Sequence, residues 1–284
     1  MMIPKIIHYC WVSDDPFPGK IQRCVDSWKK SLPEYDIRRW NMELIWQELE
    51  ADGSTDGEGG EKELYGQWVQ EAFDARKYAF VADWVRFYAL SKYGGIYLDS
   101  DVEVFKSFDD LLNFPYFLGF ENKSSLEAAV IGARSGCGWV ETCLAYYKHR
   151  RFVLPDSSEM QKYIDRGEYI SEPGYSVRPC PCIVAEMLAR DYRVMAIKSK
   201  EGFVDDSGTV CVFPKHYFSF PDAAQGSENN ERYCVHHGVG SWKPKRVQRN
   251  LKIWAAMASV LGYRMTSIIV KGFKRMIGKG RNHE

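Results

Sequence analysis

Two aspartates that could bind a metal follow a short apolar run. Asp99 and Asp101 come directly after residues 96–98, Ile-Tyr-Leu. In extended backbone alternate side chains project to the same side, so both carboxylates can bind one hard cation such as Mn²⁺ or Mg²⁺. At the carboxyl end of a strand in an open α/β sheet this pair would lie where such sheets bind ligands, and the cation would neutralise a departing diphosphate. Asp-x-Asp also occurs in ordinary turns, so its context decides.

The preceding segment adds a second charged pair. Asp83 and Arg86 are three residues apart on a predicted helix and therefore share one face. One possibility is a surface ion pair worth about 0.3–0.5 kcal/mol. The other is a functional pair, in which the carboxylate forms hydrogen bonds with the hydroxyls of a donor sugar and the guanidinium orients the carboxylate or binds a phosphate. Gly94 and Gly95 end this helix and lead into the strand before Asp99.

The elements around these residues alternate between strands and helices, which predicts an α/β fold with a mostly parallel central sheet flanked by helices. The predicted strands are 5–12, 35–40, 96–98, 116–120 and 210–213, and the predicted helices are 21–31, 74–93, 139–149 and 182–190. Residues 48–63 are acidic and glycine-rich and are expected to form a mobile surface insertion.

Composition is that of an enzyme-sized globular protein. The 284 residues are 45% hydrophobic, enough for one large domain, predicted at 1–242. Lys+Arg and Asp+Glu are both 38, and no nucleic-acid partner is expected. The eight cysteines include no Cys-x-x-Cys pair or zinc-type spacing and are expected to be reduced and mostly buried.

The last segment, residues 243–284, is a basic tail with eleven Lys or Arg and one acid, Glu284. Gly262 and Arg264 interrupt its apolar run, which argues against a spanning helix. An amphipathic helix on an anionic membrane surface is favoured over a helix docked on the domain with a solvated basic face. Without a recognisable export signal, the expected location is cytoplasmic and peripheral on the inner face of the plasma membrane.

Residues 82–86 (Ala-Asp-Trp-Val-Arg) and 93–101 (Tyr-Gly-Gly-Ile-Tyr-Leu-Asp-Ser-Asp) together resemble the signature of family 32 glycosyltransferases, which have a DxD sugar-binding region. Residues 3–11, 213–218 and 236–242 resemble other segments of that family in the same order. The family includes bacterial capsular-polysaccharide transferases and the yeast initiating mannosyltransferase, and the glucosyltransferase domains of clostridial toxins are similar.

The resemblance implies a GT-A type nucleotide-sugar-binding fold, a divalent metal and retention of anomeric configuration. It implies a catalytic set of Asp83, Arg86, Asp99 and Asp101. It implies metal binding by Asp99, Asp101 and His236, with the adjacent His237 as the substitute ligand. The expected donor-binding residues are His8, Trp11, Asp83, Arg86, Tyr97, Asp99, Ser100, Ser241 and Trp242, with Trp11 stacking on the nucleobase and Ser241 and Trp242 touching the diphosphate.

The sequence is compatible with more than one donor, acceptor and mechanism. UDP-sugars are favoured as donors, with GDP-mannose an alternative, and the acceptor is a saccharide or lipid-linked saccharide of a cell-surface polysaccharide or capsule pathway. The acceptor side departs from the expected Gly-Pro-type turn, because residues 179–182 read Pro-Cys-Pro-Cys. Front-face substitution is favoured over a double displacement through Asp83 or Glu121.

Two other function classes fit parts of the sequence. A haloacid-dehalogenase-type phosphatase also uses Asp-x-Asp after a strand, but Glu103 stands where that motif has Thr or Val. A non-enzymatic alternative is a membrane-surface carbohydrate-binding protein that has lost catalysis, and the intact set of carboxylates argues against it.

Overall fold

The computed structural model describes residues 2–51, 60–122, 125–154, 158, 161, 174–176, 178–192, 203–204, 211–219 and 231–239. The chain divides into two compact units, Met1–Gly238 and Val239–Glu284. The predicted boundary at 242 and the predicted tail helix lie outside the described residues. Among the described helices, none has the length and apolar content that crossing a bilayer requires.

The first unit is built on a mixed seven-stranded sheet in the order β2-β1-β3-β6-β5-β8-β7. Its strands are β1 (Ile6–Cys10), β2 (Asp36–Trp40), β3 (Gly95–Leu98), β5 (Tyr116–Asn122), β6 (Ser125–Ala133), β7 (Phe203–Val204) and β8 (Cys211–Phe213). Their pairing makes five of these strands run in one direction, with β6 and β7 opposed. Two further strands, β4 (Val102–Val104) and β9 (Cys234–His236), pair antiparallel in a second, two-stranded sheet. The predicted α/β class is confirmed.

The described helices are α1 (Gly19–Ser31), α2 (Met42–Ala51), α3 (Glu61–Asp74), α4 (Tyr78–Tyr93), α5 (Gly138–Ala145) and α6 (Cys180–Tyr192). The prediction of a mobile insertion over 48–63 was wrong at both ends. Leu49 in α2 and Tyr65 in α3 are buried in the core, so apolar faces extend these helices up to the acidic stretch. Residues 52–59 lie outside the described part of the chain. The predicted helix 74–93 begins later, at Tyr78, because α3 ends at Asp74 and the chain turns through Arg76 at φ 55°.

Helix α4 lies within the core, and residues 84–90 are all buried. A helix that is buried on every side packs against neighbours all round, which fixes its position and that of its charged residues. It ends in Gly94 at φ 66° and Gly95 at φ 106°, where a Cβ on either residue would lie 2.6 Å from neighbouring backbone. Glycine is therefore required for α4 to pass directly into β3 beside β1.

The cysteines agree with the prediction where they are described. Seven of them are free, five are buried, Cys137 is partly buried and Cys182 is exposed. Burial raises the pKa of the Cys10 and Cys180 thiols, which keeps them protonated and unreactive.

Candidate active site

The turn that carries the two aspartates is held on both sides. Asp99 donates its backbone N–H to the Ala129 carbonyl of β6 at 2.9 Å, and Val102 donates to the Asp99 carbonyl at 3.0 Å. From α1, the Trp28 indole donates to the Val102 carbonyl at 2.7 Å, and the Ser27 hydroxyl accepts the Val104 N–H at 2.9 Å. Because both ends of the turn are anchored, the direction of its carboxylates is set by the scaffold.

Strand pairing brings a histidine to these carboxylates. Val102 of β4 lies opposite His236 of β9, and His236 Nε2 lies 3.4 Å from Asp101 Oδ1. One ligand atom from each of Asp99, Asp101 and His236 lies within 4.8 Å of the others. Two carboxylates and an imidazole are a ligand set that Mn²⁺ accepts, so these residues fit the divalent metal implied by the resemblance.

The adjacent histidine follows a different course. His237 donates its backbone N–H to the Asp101 carbonyl at 3.0 Å, and its Nε2 lies 2.9 Å from Glu103 Oε2. Neighbouring residues of extended backbone face opposite sides, so only one of the two rings faces the aspartates. Among the described residues, the structure places His236 with Asp99 and Asp101 and pairs His237 with Glu103.

The charges around His236 favour a positive species at this point. Burial alone lowers the pKa of His236, but its hydrogen bonds to Asp101 and Glu127 outweigh burial and raise that pKa well above its usual value. Burial also raises the pKa of Asp99, against the opposing charge of Arg86. A proton on the imidazole or a divalent cation between the three side chains would relieve the same excess of negative charge.

Arg86 joins the helix to this cluster. Its side chain is buried and donates to Asp83 Oδ1 at 3.1 Å and to Asp99 Oδ1 at 2.9 Å. It also donates to the Ala128 carbonyl, and to the Cys180 thiol at 3.4 Å. Burial raises the pKa of Asp83 to about 7, with Arg86 opposing the rise. Arg86 thus links Asp83, with which it was predicted to share a helix face, to the first aspartate of the DxD turn.

Three other predicted donor-binding residues lie near this edge of the sheet. The ring of Tyr97 is buried, and its centroid lies 4.8 Å from Arg86 Cζ, a cation–π contact that stabilises the guanidinium. Ser100 lies in the turn between the two aspartates. Trp11 follows β1 at the edge where β3 also ends, and it is half-buried, edge-on to Phe17 with ring centroids 4.9 Å apart.

The structure does not bring His8 to the carboxylates. Its side chain is fully buried, where the Trp40 indole donates to Nδ1 at 3.1 Å. Nε2 therefore carries the hydrogen and donates to the Gly94 carbonyl at 2.9 Å. Burial lowers the pKa of His8 to about 4. This geometry makes His8 a neutral structural residue with no surface for a donor. Ser241 and Trp242 lie outside the described residues.

Sequence reasoning missed Glu127 and Ser219. Glu127 in β6 is buried, with Oε2 3.2 Å from His236 Nδ1 and Oε1 accepting the Ala129 N–H at 2.9 Å. The buried Ser219 hydroxyl also donates to Oε2. Burial raises the pKa of Glu127, but the hydrogen bonds from His236 and Ser219 outweigh it and lower that pKa. The available signal was a single charged residue within an otherwise apolar strand.

Comparison with known proteins identifies the region that carries most of these residues. Residues 18–118 match the model of the glycosyltransferase sugar-binding region containing the DXD motif. The chain is 30% identical over 138 residues to inositol phosphoceramide mannosyltransferase 3 of Schizosaccharomyces pombe, covering 47% of this chain and 34% of the relative. It is 32% identical over 136 residues to a mannosyl phosphorylinositol ceramide synthase of Saccharomyces cerevisiae, covering 46% and 31%. The matches span about a third of the length of these relatives.

Solved structures show more distant similarity. The PaToxG glycosyltransferase gives a TM-score of 0.45 at 17% identity, covering 68% of this chain and 71% of that one. The galactosyltransferase LgtC gives a TM-score of 0.36 at 12% identity, covering 82% and 87%. Scores this low carry no argument about the site, which rests on its own geometry.

The matched range includes four of the predicted site residues. The matched range contains Asp83, Arg86, Asp99 and Asp101, which the structure joins through the Arg86 guanidinium and the turn after β3. The α/β sheet, with the DxD turn at the end of β3, agrees with the GT-A type architecture expected from the resemblance. Residues 18–118 are therefore similar to the glycosyltransferase sugar-binding region containing a DXD motif, and they contain this chain's own Asp-x-Asp turn.

Proposed function

We propose that this chain is a retaining, metal-dependent transferase that moves a sugar from a nucleotide-sugar donor to a saccharide or lipid-linked saccharide acceptor. One observation carries the proposal. Asp99, Asp101 and His236 converge within 4.8 Å, directly beside the buried Arg86 that binds both Asp83 and Asp99. A cation site next to a carboxylate–guanidinium pair supplies what transfer from a diphosphate needs: charge for the leaving group and polar groups for the sugar.

The side chains take separate roles in this proposal. Asp99, Asp101 and His236 would hold Mn²⁺ or Mg²⁺, which when bound offsets the negative charge of the departing diphosphate. Asp83 accepts hydrogen bonds from donor-sugar hydroxyls, while Arg86 holds it in place at 3.1 Å. Trp11 stacks on the nucleobase at the edge where β1 and β3 end.

Front-face substitution is the proposed route to retention. A double displacement requires a carboxylate free to form a bond to the anomeric carbon. The Asp83 carboxylate is already bound by Arg86, and Glu121 is an exposed residue near the end of β5. Both observations favour a mechanism in which the leaving phosphate itself deprotonates the acceptor hydroxyl.

The donor and the setting are further parts of the proposal. UDP-sugars remain our favoured class from the family resemblance, whereas the names of both yeast relatives specify mannosyl transfer. A mannose donor therefore belongs among the first to be tested. We place the enzyme in cell-surface polysaccharide synthesis at the inner face of the plasma membrane, with residues 243–284 on the anionic surface.

Nucleotide release from a panel of UDP- and GDP-sugars, with Mn²⁺ or with EDTA, tests the transferase activity. We expect metal-dependent release from one donor and a loss of roughly 1000-fold in Asp101→Asn, because one oxygen ligand becomes a neutral amide. Glu103→Gln is the matched control, since Glu103 lies two residues further on and pairs with His237. Equal release in EDTA and in Asp101→Asn would contradict the proposal, and metal-dependent phosphate release from a phosphomonoester would favour the phosphatase alternative.

A further inference from the structure

His236 has a carboxylate on each side of its ring. Nε2 lies 3.4 Å from Asp101 Oδ1, on the side of the proposed cation site, and Nδ1 lies 3.2 Å from Glu127 Oε2. The side chain of Glu127 is only 5% exposed, whereas that of His236 is 23% exposed. The ring therefore directs Nε2 toward the proposed cation site and Nδ1 toward a buried carboxylate.

The hydrogen bonds of Glu127 determine where the imidazole hydrogen lies. Oε1 accepts the Ala129 N–H at 2.9 Å, and Oε2 accepts the Ser219 hydroxyl. An ionised carboxylate offers only acceptors, so the contact to His236 requires a hydrogen on Nδ1. With a cation bound, the imidazole is then neutral with its Nε2 lone pair facing Asp99 and Asp101.

We propose that Glu127 is a positioning residue which, together with Ser219, fixes His236 in the Nδ1–H tautomer and directs Nε2 toward the metal. This inference rests on the proposed metal site and adds residues that the family match does not contain, since Glu127, Ser219 and His236 all lie beyond residue 118. Glu127 binds no metal itself in this arrangement. It acts through the ring of His236, and Ser219 ties it to the segment that precedes β9.

A second histidine–glutamate pair in the chain provides a control without this role. His237 and Glu103 are also joined, at 2.9 Å, but the side chain of Glu103 is 39% exposed. Solvent competes for an exposed carboxylate and the pair contributes little to the orientation of its ring. Glu103→Gln is therefore the control for Glu127→Gln.

Glutamine cannot replace Glu127 in this position. The carboxylate receives donors at both oxygens, whereas a glutamine amide offers one oxygen and one NH₂ group. The NH₂ group would then face a donor, which is either the Ala129 N–H or the donors of His236 and Ser219, and that hydrogen bond would be lost. We expect the Mn²⁺ affinity of Glu127→Gln to fall about 10- to 100-fold, as for other outer partners of metal-binding histidines. Ser219→Ala removes one hydrogen bond and should cost roughly fivefold.

The experiment combines metal titration with a reading of the tautomer. Mn²⁺ binding to the full chain is measured by electron paramagnetic resonance, and the His236 tautomer by ¹⁵N imidazole shifts at saturating Mg²⁺, assigned with His236→Gln. We expect the Nδ1–H signature in the wild type and in Glu103→Gln, and its partial loss in Ser219→Ala and Glu127→Gln. Thermal unfolding verifies that each variant folds. If Glu127→Gln does not fold, Ser219→Ala alone tests the proposal.

The outcomes separate this inference from the proposed function. Unchanged Mn²⁺ affinity and an unchanged tautomer in the variants would overturn the role of Glu127, as would a wild type without Mn²⁺ affinity. A wild type that binds Mn²⁺ and shows the Nδ1–H signature, yet releases no nucleotide from any donor, would instead contradict the transferase activity. Neither measurement on Glu127 requires turnover.

Discussion

Two histidines of this chain each bond through both ring nitrogens, yet their surroundings give them opposite charge preferences. His8 is a residue of β1 whose ring lies between the Trp40 indole and the Gly94 carbonyl, and burial lowers its pKa to about 4. His236 lies between Asp101 and Glu127, which raise its pKa well above the usual value despite burial. In this protein the charge of the partners, rather than their number, decides whether a histidine is neutral or favours a positive charge.

The same difference extends to access. His8 is fully buried, whereas the side chain of His236 is 23% exposed beside Asp99, which is 26% exposed. Removing a charge from water is costly unless a partner compensates for it. The His8 region offers neutral partners and no opening, so it stabilises the fold. The His236 region offers two anions and an opening, so it can bind a cation.

Replacing each of the two histidines should give the largest effects, on kcat/KM for His236 and on stability for His8. The opposite assignment of these effects would contradict the contrast between the two sites. We expect His236→Ala to lower kcat/KM roughly 1000-fold, because it removes one of the three proposed metal ligands. His8→Phe should leave kcat/KM of the folded enzyme within about twofold but lower the free energy of unfolding by about 2–4 kcal/mol, because the Trp40 indole and the Gly94 carbonyl lose their partner. Steady-state kinetics and urea unfolding measure the two quantities.

The pH dependence of stability tests whether His8 is buried in its neutral form. Because the pKa of His8 falls from 6.5 to about 4 on folding, the unfolded chain binds more protons between these pH values. The contribution of His8 to stability is present above pH 6.5 and is lost as the pH falls toward 4, by about 3 kcal/mol. Urea unfolding of the wild type and His8→Phe at several pH values should show their difference shrinking in this window. A difference independent of pH would contradict the assignment.

The smallest effect should come from a neutral partner within the charged region. Cys180 accepts a hydrogen bond from Arg86 at 3.4 Å, a long contact to a weak acceptor. We expect Cys180→Ala to change kcat/KM by less than about threefold and the free energy of unfolding by about 1 kcal/mol, since Asp83 and Asp99 still hold the guanidinium. A loss comparable to that of His236→Ala would show that neutral partners matter as much as charged ones here.

The sequence predicts the parts of this site that are local. Asp83 with Arg86 and Asp99 with Asp101 were recognisable because helix and strand periodicity place each pair on one face. The pairing of Glu127 with His236 was not, because 109 residues separate them and no spacing relates a lone acid in an apolar strand to a distant histidine. Strand β6, which carries Glu127, was itself missed.

The errors in the fold have a similar origin. The acidic, glycine-rich stretch suggested a mobile insertion, and its polarity obscured the apolar faces of α2 and α3 on either side. Ile45 and Leu49 in α2, and Tyr65 and Val69 in α3, have helical spacing and are buried. These faces were readable, whereas the antiparallel placement of β6 between β3 and β5 depends on tertiary pairing that periodicity does not encode.

The pairing of β4 with β9 also has a consequence for how the protein is made. Asp99 and Asp101 emerge from the ribosome long before His236, because synthesis proceeds from the N-terminus. Until β9 has emerged, β4 lacks its partner strand and the aspartates lack their histidine. The proposed cation site would therefore be complete only when almost all of the unit Met1–Gly238 has been translated, and a metal held there would bind late in biogenesis rather than guide the first folding steps.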